Sequence, residues 1–282
     1  MLSLANDYLD VSVLEPVQDQ ARLGSRYVTG GYVYQIYDRK LGPILSGPGY
    51  PSEEQPPVFD GQGLPEAFFS PLGADPAAAP DGTVLMVIGV GLIKTPAGPL
   101  RDFPVLEFCK WGITRAPGKV IMETHQAFQG WALDLKRELI LENRTLGSFT
   151  HIANTGQKEI PIRWFPHPFY PWYPSGECCK FNFPVRFPDN PGYTLRDNGF
   201  VQMKLDPPWD RRGHFQMLEF TRPEKLLVLQ KHPKLGLVAA TCSFAPAFMP
   251  IWGNCNTFSF EPFYELALGP GQEAQWSITY DF

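Results

Sequence analysis

One histidine stands among five aromatic rings and three prolines in Arg163-Trp164-Phe165-Pro166-His167-Pro168-Phe169-Tyr170-Pro171-Trp172. An imidazole titrates near neutral pH, so His167 at the end of an extended segment can act as a general acid or base. The bland alternative is a histidine in an aromatic wall, tied to a carbonyl. Glu261, in Ser259-Phe260-Glu261-Pro262-Phe263, sets a carboxylate in a run that alternates with aromatic residues. Alternation puts it on the face of Ser259, opposite Phe258 and Phe260. Apolar surroundings would raise its pKa toward the range a general base needs; an outward-facing strand glutamate would simply be solvated. Arg26, beside Tyr27, offers a planar fork of donors for a hydroxyl pair, a carboxylate or a phosphate, or else a surface ion pair. Glu66 lies in a long loop, where it either covers a site or is solvated. Trp164, Phe169 and Trp172 offer flat faces that suit the apolar side of a sugar ring.

Other chemistry is excluded. Gly89-Val90-Gly91 lacks the third glycine and the following helix of a dinucleotide turn, and there is no phosphate-binding loop and no Gly-x-Ser-x-Gly elbow. No two histidines have metal-ligand spacing, and the five cysteines contain no Cys-x-x-Cys pair, so neither a metal nor a redox cofactor is expected. The cysteines read as free thiols in a reducing cytoplasm. His125, His151, His214 and His232 read as structural. The net charge of −5 argues against a nucleic-acid partner, and no apolar run approaches the ~18 residues of a membrane span. The N-terminus lacks the basic start and apolar stretch of a signal peptide. Oligomeric state is not readable.

The elements that must position these residues are strands. The chain has 282 residues, 30 of them proline, and 14% aromatic content, and long helices are hard to place among so many prolines. Period-two alternation marks 25–38, 83–94, 118–128, 130–146, 147–156, two short strands around His232-Pro233-Lys234, 257–268 and the C-terminal run Gln275–Phe282. The last two, around Gly269-Pro270-Gly271, read as an antiparallel hairpin closing the fold. Ser3 to Glu15 is the best helix candidate. Residues 41–82 form a long proline- and glycine-rich connection whose aromatics favour packing on the body. The expectation is a single all-β domain over residues 1–282, with few short helices.

Three segments together resemble the aldose 1-epimerase, or galactose mutarotase-like, superfamily. Ala153–Trp172 resembles its strand leading to a His-Pro-aromatic run. Thr257–Phe282 resembles its closing segment, an acidic residue before proline, a Pro-Gly turn and a Trp-bearing last strand. Ser25–Gly31 and Ile88–Pro96 resemble a poorly characterised branch. The resemblance implies a large antiparallel β-supersandwich with a sugar cleft, a small carbohydrate as partner and no cofactor. It implies that His167 is the acid that protonates the ring oxygen and Glu261 the base that deprotonates the anomeric hydroxyl. The ring would open and reclose as the other anomer. Arg26, Glu66, Trp164, Phe169 and Trp172 would contact the substrate. A second histidine usual upstream is absent from 66–91, and Asp206 and Asp210 are candidates for a hydroxyl-binding aspartate. The alternative function is carbohydrate recognition without turnover. A lyase on a related fold would use groups such as Tyr170 and Arg163.

Overall fold

The structure, a computed structural model, describes residues 1–51, 62–74, 78–96, 103–204, 209–210, 212–221 and 223–282. Among them every strand pairing is antiparallel, and the sole helical element is a 3-10 turn, Gln20–Arg22.

The largest layer is an eight-stranded sheet. Its order runs Cys179–Phe181, Leu227–His232, Gly236–Cys242, Glu273–Asp281, Thr145–Asn154, Trp131–Glu142, Lys119–Phe128 and Gly112–Ala116. Three of its neighbouring strands are joined by hairpins; Lys119–Phe128 alternates, burying Val120, Met122, Thr124 and Gln126 and turning Glu123 and His125 outward. Two-residue turns join them. Phe128 pairs with Trp131 around Gln129 and Gly130, and Glu142 pairs with Thr145 around Asn143 and Arg144. Gln129, Gly130 and Asn143 have positive φ, as tight hairpin turns require. The strand expected over 130–146 therefore ends at Glu142, and Thr145 and Leu146 open the next strand, which runs to Asn154.

Two smaller sheets pack over it. One has the order Tyr264–Leu268, Ile160–Pro166, Glu66–Phe68; the other Tyr170–Pro171, Thr257–Phe260, Met249–Gly253, His214–Leu218. Trp164 of the first sheet meets Trp276 of the large sheet at 5.6 Å between ring centroids. A single apolar cluster runs between the layers, from Leu2 through Leu135, Ile152, Ile162 and Ile251 to Phe282. Each large aliphatic or aromatic side chain buried this way contributes about 1.5–3 kcal/mol.

Several sequence expectations are corrected. Ser3–Glu15 is not helical: Leu2–Ala5 and Leu9–Val13 are paired strands whose alternate residues Leu2, Leu4, Leu9, Val11 and Val13 are buried. The strand expected over 25–38 begins at Val33, and residues 25–32 run as bends and turns with Gly31 at φ +82°. The stretch 83–94 folds into a hairpin, Val84–Val87 with Gly91–Lys94, turning at Gly89. The closing hairpin does not form. Pro262 redirects the chain, so that Thr257–Phe260 and Tyr264–Leu268 join different sheets. The turn at 269–272 then carries Glu273–Asp281 into the large sheet, between Thr145–Asn154 and Gly236–Cys242. Within 41–82, Glu66–Phe68 forms a strand beside Ile160–Pro166; 52–61 and 75–77, with Phe59, lie outside the described residues.

Candidate functional site

Strand parity builds the site. Along Ile160–Pro166, Ile160, Ile162 and Trp164 face the large sheet, while Arg163 and Phe165 face away from it. Register extends this to the neighbours: Trp164 opposes Phe68 on the inner face, and Phe165 opposes Ala67 on the outer face. His167 continues on the outer face, held by its backbone N–H donating to the Pro65 carbonyl at 2.9 Å. The flanking Pro166 and Pro168 carry no N–H and keep the segment extended.

Glu261 arrives from another segment. It follows Phe260 out of its strand, its backbone N–H donating to the Pro250 carbonyl at 2.9 Å, and Pro262 then ends the pairing. Its Oε1 lies 3.4 Å from His167 Nε2. His167 is 2% exposed and Glu261 7%. Phe169 stacks on the imidazole at 4.3 Å, and Tyr27, Phe165 and Trp252 surround it at 6.1, 6.0 and 5.9 Å. His167 Nδ1 has no hydrogen-bond partner although it is buried. Among the described residues, no three His, Cys, Asp or Glu side chains gather as metal ligands would.

No family model matches the chain, and no curated protein matches it in sequence. Solved structures do match its fold. A galactose mutarotase related enzyme from Lactobacillus acidophilus aligns over 99% of this chain and 96% of its own, with TM-score 0.62 and 12% identity. Galactose mutarotase-like proteins from Clostridium acetobutylicum and Lactobacillus casei align over 99% and 100% of this chain and 93% and 99% of theirs, with TM-scores 0.59 and 0.58 and identities 12% and 13%. The chain has the galactose mutarotase-like fold.

Within this galactose mutarotase-like fold, electrostatics set the state of the pair. Burial raises the Glu261 carboxyl to about 7, with the Arg26 charge pulling the other way. Burial also holds His167 well below its ordinary value, and Arg26 adds to that effect. An imidazolium and a carboxylate at 3.4 Å attract, but both groups are almost wholly desolvated and the arginine opposes the imidazolium. Desolvation wins. Burial therefore favours the protonated carboxyl below pH about 7 and keeps the imidazole neutral to well below its ordinary range.

The other anticipated residues divide. Phe169 lies against the pair. Arg26 lies in a bend, not a strand; it is exposed, sits over the Tyr27 ring at 5.2 Å, and its charge reaches both members. Glu66 is neither loop cover nor solvated. It is buried between the layers, 2.6 Å from Arg137 Nη2, and accepts from Ser148 Oγ, because it shares the inner face with Pro166. Trp164 likewise points into the core, against Trp276 and Phe244. Trp172 is half-buried, donates to the Asn254 carbonyl at 2.7 Å and packs on Trp209. Tyr170 is buried against Phe260, and Arg163 pairs with Glu265. Asp206 lies outside the described residues, and Asp210 accepts from the backbone N–H groups of Arg212 and Gly213.

Sequence reasoning missed Tyr27, Phe165 and Trp252. Two had a parity signal: Trp252 takes the opposite face to Met249 and Ile251 in its strand, and Phe165 precedes His167 by one strand period. Tyr27, in a bend, had none.

Proposed function

We propose that this chain is a carbohydrate-binding protein of the aldose 1-epimerase type, which interconverts sugar anomers with His167 and Glu261. The observation that carries the reading is their meeting at 3.4 Å from distant segments, buried among aromatic rings, with pKa values displaced in opposite directions. Ring opening moves two protons. One leaves the anomeric hydroxyl, one reaches the ring oxygen, and the C1–O5 bond breaks as C1=O1 forms. Rotation about C1–C2 and the reverse transfers close the other anomer.

The two oxygens are bonded to the same carbon, so an acid and a base in contact can serve both from one side of the ring. With the resting proton on Glu261, Glu261 donates to the ring oxygen and His167 takes the hydroxyl proton. Closure reverses both transfers and restores the pair. This order is opposite to the one the family resemblance implies. Each group supplies typically ~10²–10⁴-fold. Arg26 at the rim orients hydroxyls, and Phe169 backs the imidazole. The acid–base chemistry draws on no cofactor. The chain acts as one domain, and its five free thiols favour a reducing cytoplasm.

A second reading, recognition without turnover, is favoured by the same contact: at 3.4 Å no ring fits between the two side chains. Saturation transfer between anomers, run over a panel of free and phosphorylated aldoses, separates the two. Accelerated exchange for a sugar supports the enzyme. Line broadening without exchange for every sugar supports the binding protein.

A further inference from the structure

We propose that Trp252, Phe215 and Met217 form a second carbohydrate subsite beside the His167–Glu261 pair, for the sugar residue joined to the reducing sugar of a di- or oligosaccharide. The inference rests on reading that pair as a sugar site.

The argument is one of register. His214–Leu218 is the outer strand of its sheet, paired with Met249–Gly253. Phe215 stands opposite Trp252, and Met217 opposite Pro250, so these four side chains share one face. That face is the site face. Trp252 pairs on its other side with Ser259, two residues before Glu261, and its ring lies 5.9 Å from His167 and 6.3 Å from Phe169. The alternate residues Ile251 and Leu218 face the core. A shelf therefore begins at the buried pair, passes through half-buried Trp252 and ends at Phe215 and Met217, which are 59% and 38% exposed.

Large apolar side chains exposed beside a buried polar pair mark a binding surface. The C–H faces of pyranose rings are flat and apolar and lie well against aromatic rings. A reducing sugar whose C1 is at His167 and Glu261 is hemmed in by Tyr27, Phe165 and Phe169, so anything joined to it must leave along a wall. Trp252, in contact with His167 and continuous with the exposed strand, is such a wall. A protein partner would need no continuity with the pair; a saccharide requires it.

The test compares affinities for galactose and glucose with those for lactose, maltose and cellobiose, by ligand-observed NMR. The wild type is compared with Phe215→Ala/Met217→Ala, whose changes lie at exposed positions, and with Phe149→Ala as a control on an exposed aromatic of the large sheet. The expected result is that the disaccharide-over-monosaccharide affinity ratio falls about ten-fold in the double variant and not in Phe149→Ala. An unchanged ratio, or a fall in Phe149→Ala instead, overturns the proposal. So does a wild-type dimer that the double variant abolishes without any change in saccharide affinity, which would assign the shelf to a second copy. If the wild type binds monosaccharides but prefers no disaccharide, the subsite fails alone; if it binds none of the five sugars, the sugar reading itself fails.

Discussion

The desolvated pair His167–Glu261 links pH to stability with a sign that each group sets separately. Folding raises Glu261 from 4.5 to about 7, so the native protein holds this proton more tightly than the unfolded chain does. Its contribution is complete below 4.5 and is lost as pH rises to about 7, a change of roughly 3 kcal/mol. Folding lowers His167 below 6.5, so its contribution is complete above 6.5 and is lost as pH falls. Between 4.5 and 6.5 the two slopes have opposite signs, so the histidine offsets the loss from the carboxyl. Glu261→Gln removes the loss on the alkaline side. Its Tm relative to wild type is expected to rise between about pH 5 and about pH 8. Parallel curves across that range would mean that Glu261 is not protonated in the native state. Both residues were legible in the sequence because a lone histidine and a lone carboxylate stand out in aromatic runs. Their contact was not legible, because it joins segments 94 positions apart.

At the scale of elements, parity decides what a residue does. In Arg163–Trp172 nearly every side chain is aromatic or proline, so composition alone does not say which ones face the site. A one-residue shift exchanges the two faces, and here it sends Trp164 to the core and Phe165 to the site. Glu66 has the same origin. Pairing with Pro166 turns it inward, where Arg137 and Ser148 bind it and the neighbouring Thr150 accepts from Arg137. This buried ion pair ties the strand beside His167 to two strands of the large sheet. Removing one partner leaves the other charge unpaired. Arg137→Met is expected to destabilise by about 3–5 kcal/mol in denaturant unfolding, while Glu66→Leu/Arg137→Met recovers most of that loss. A double variant as unstable as the single one would show that the apolar pair does not pack in the space the ions occupy.

For the whole molecule, fold class was readable because period-two patterns and turn residues recur along almost the entire chain. Sheet partners were not. Local alternation at Thr257–Phe282 fitted a hairpin, whereas burial of Trp276, Ile278 and Tyr280 between the layers was better met in the large sheet. The same layering governs the thiols. Cys178, Cys179 and Cys242 are buried, Cys109 is largely shielded with its thiol raised to about 12, and Cys255 is exposed. A chromogenic disulfide reagent is expected to titrate Cys255 alone quickly in the native protein and all five cysteines after denaturation. Fast reaction of several native thiols would contradict the packing of the sandwich.

The most direct measurement of the central claim is anomer exchange in wild type, His167→Asn, Glu261→Gln and the double variant, on the sugar that the wild type turns over fastest. Because the two groups pass protons to adjacent oxygens in one cycle, each single variant is expected to lose about as much rate as the double, by ~10²-fold or more, while sugar binding persists. Undiminished exchange in Glu261→Gln, or single losses that multiply in the double variant, would contradict a shared acid–base cycle.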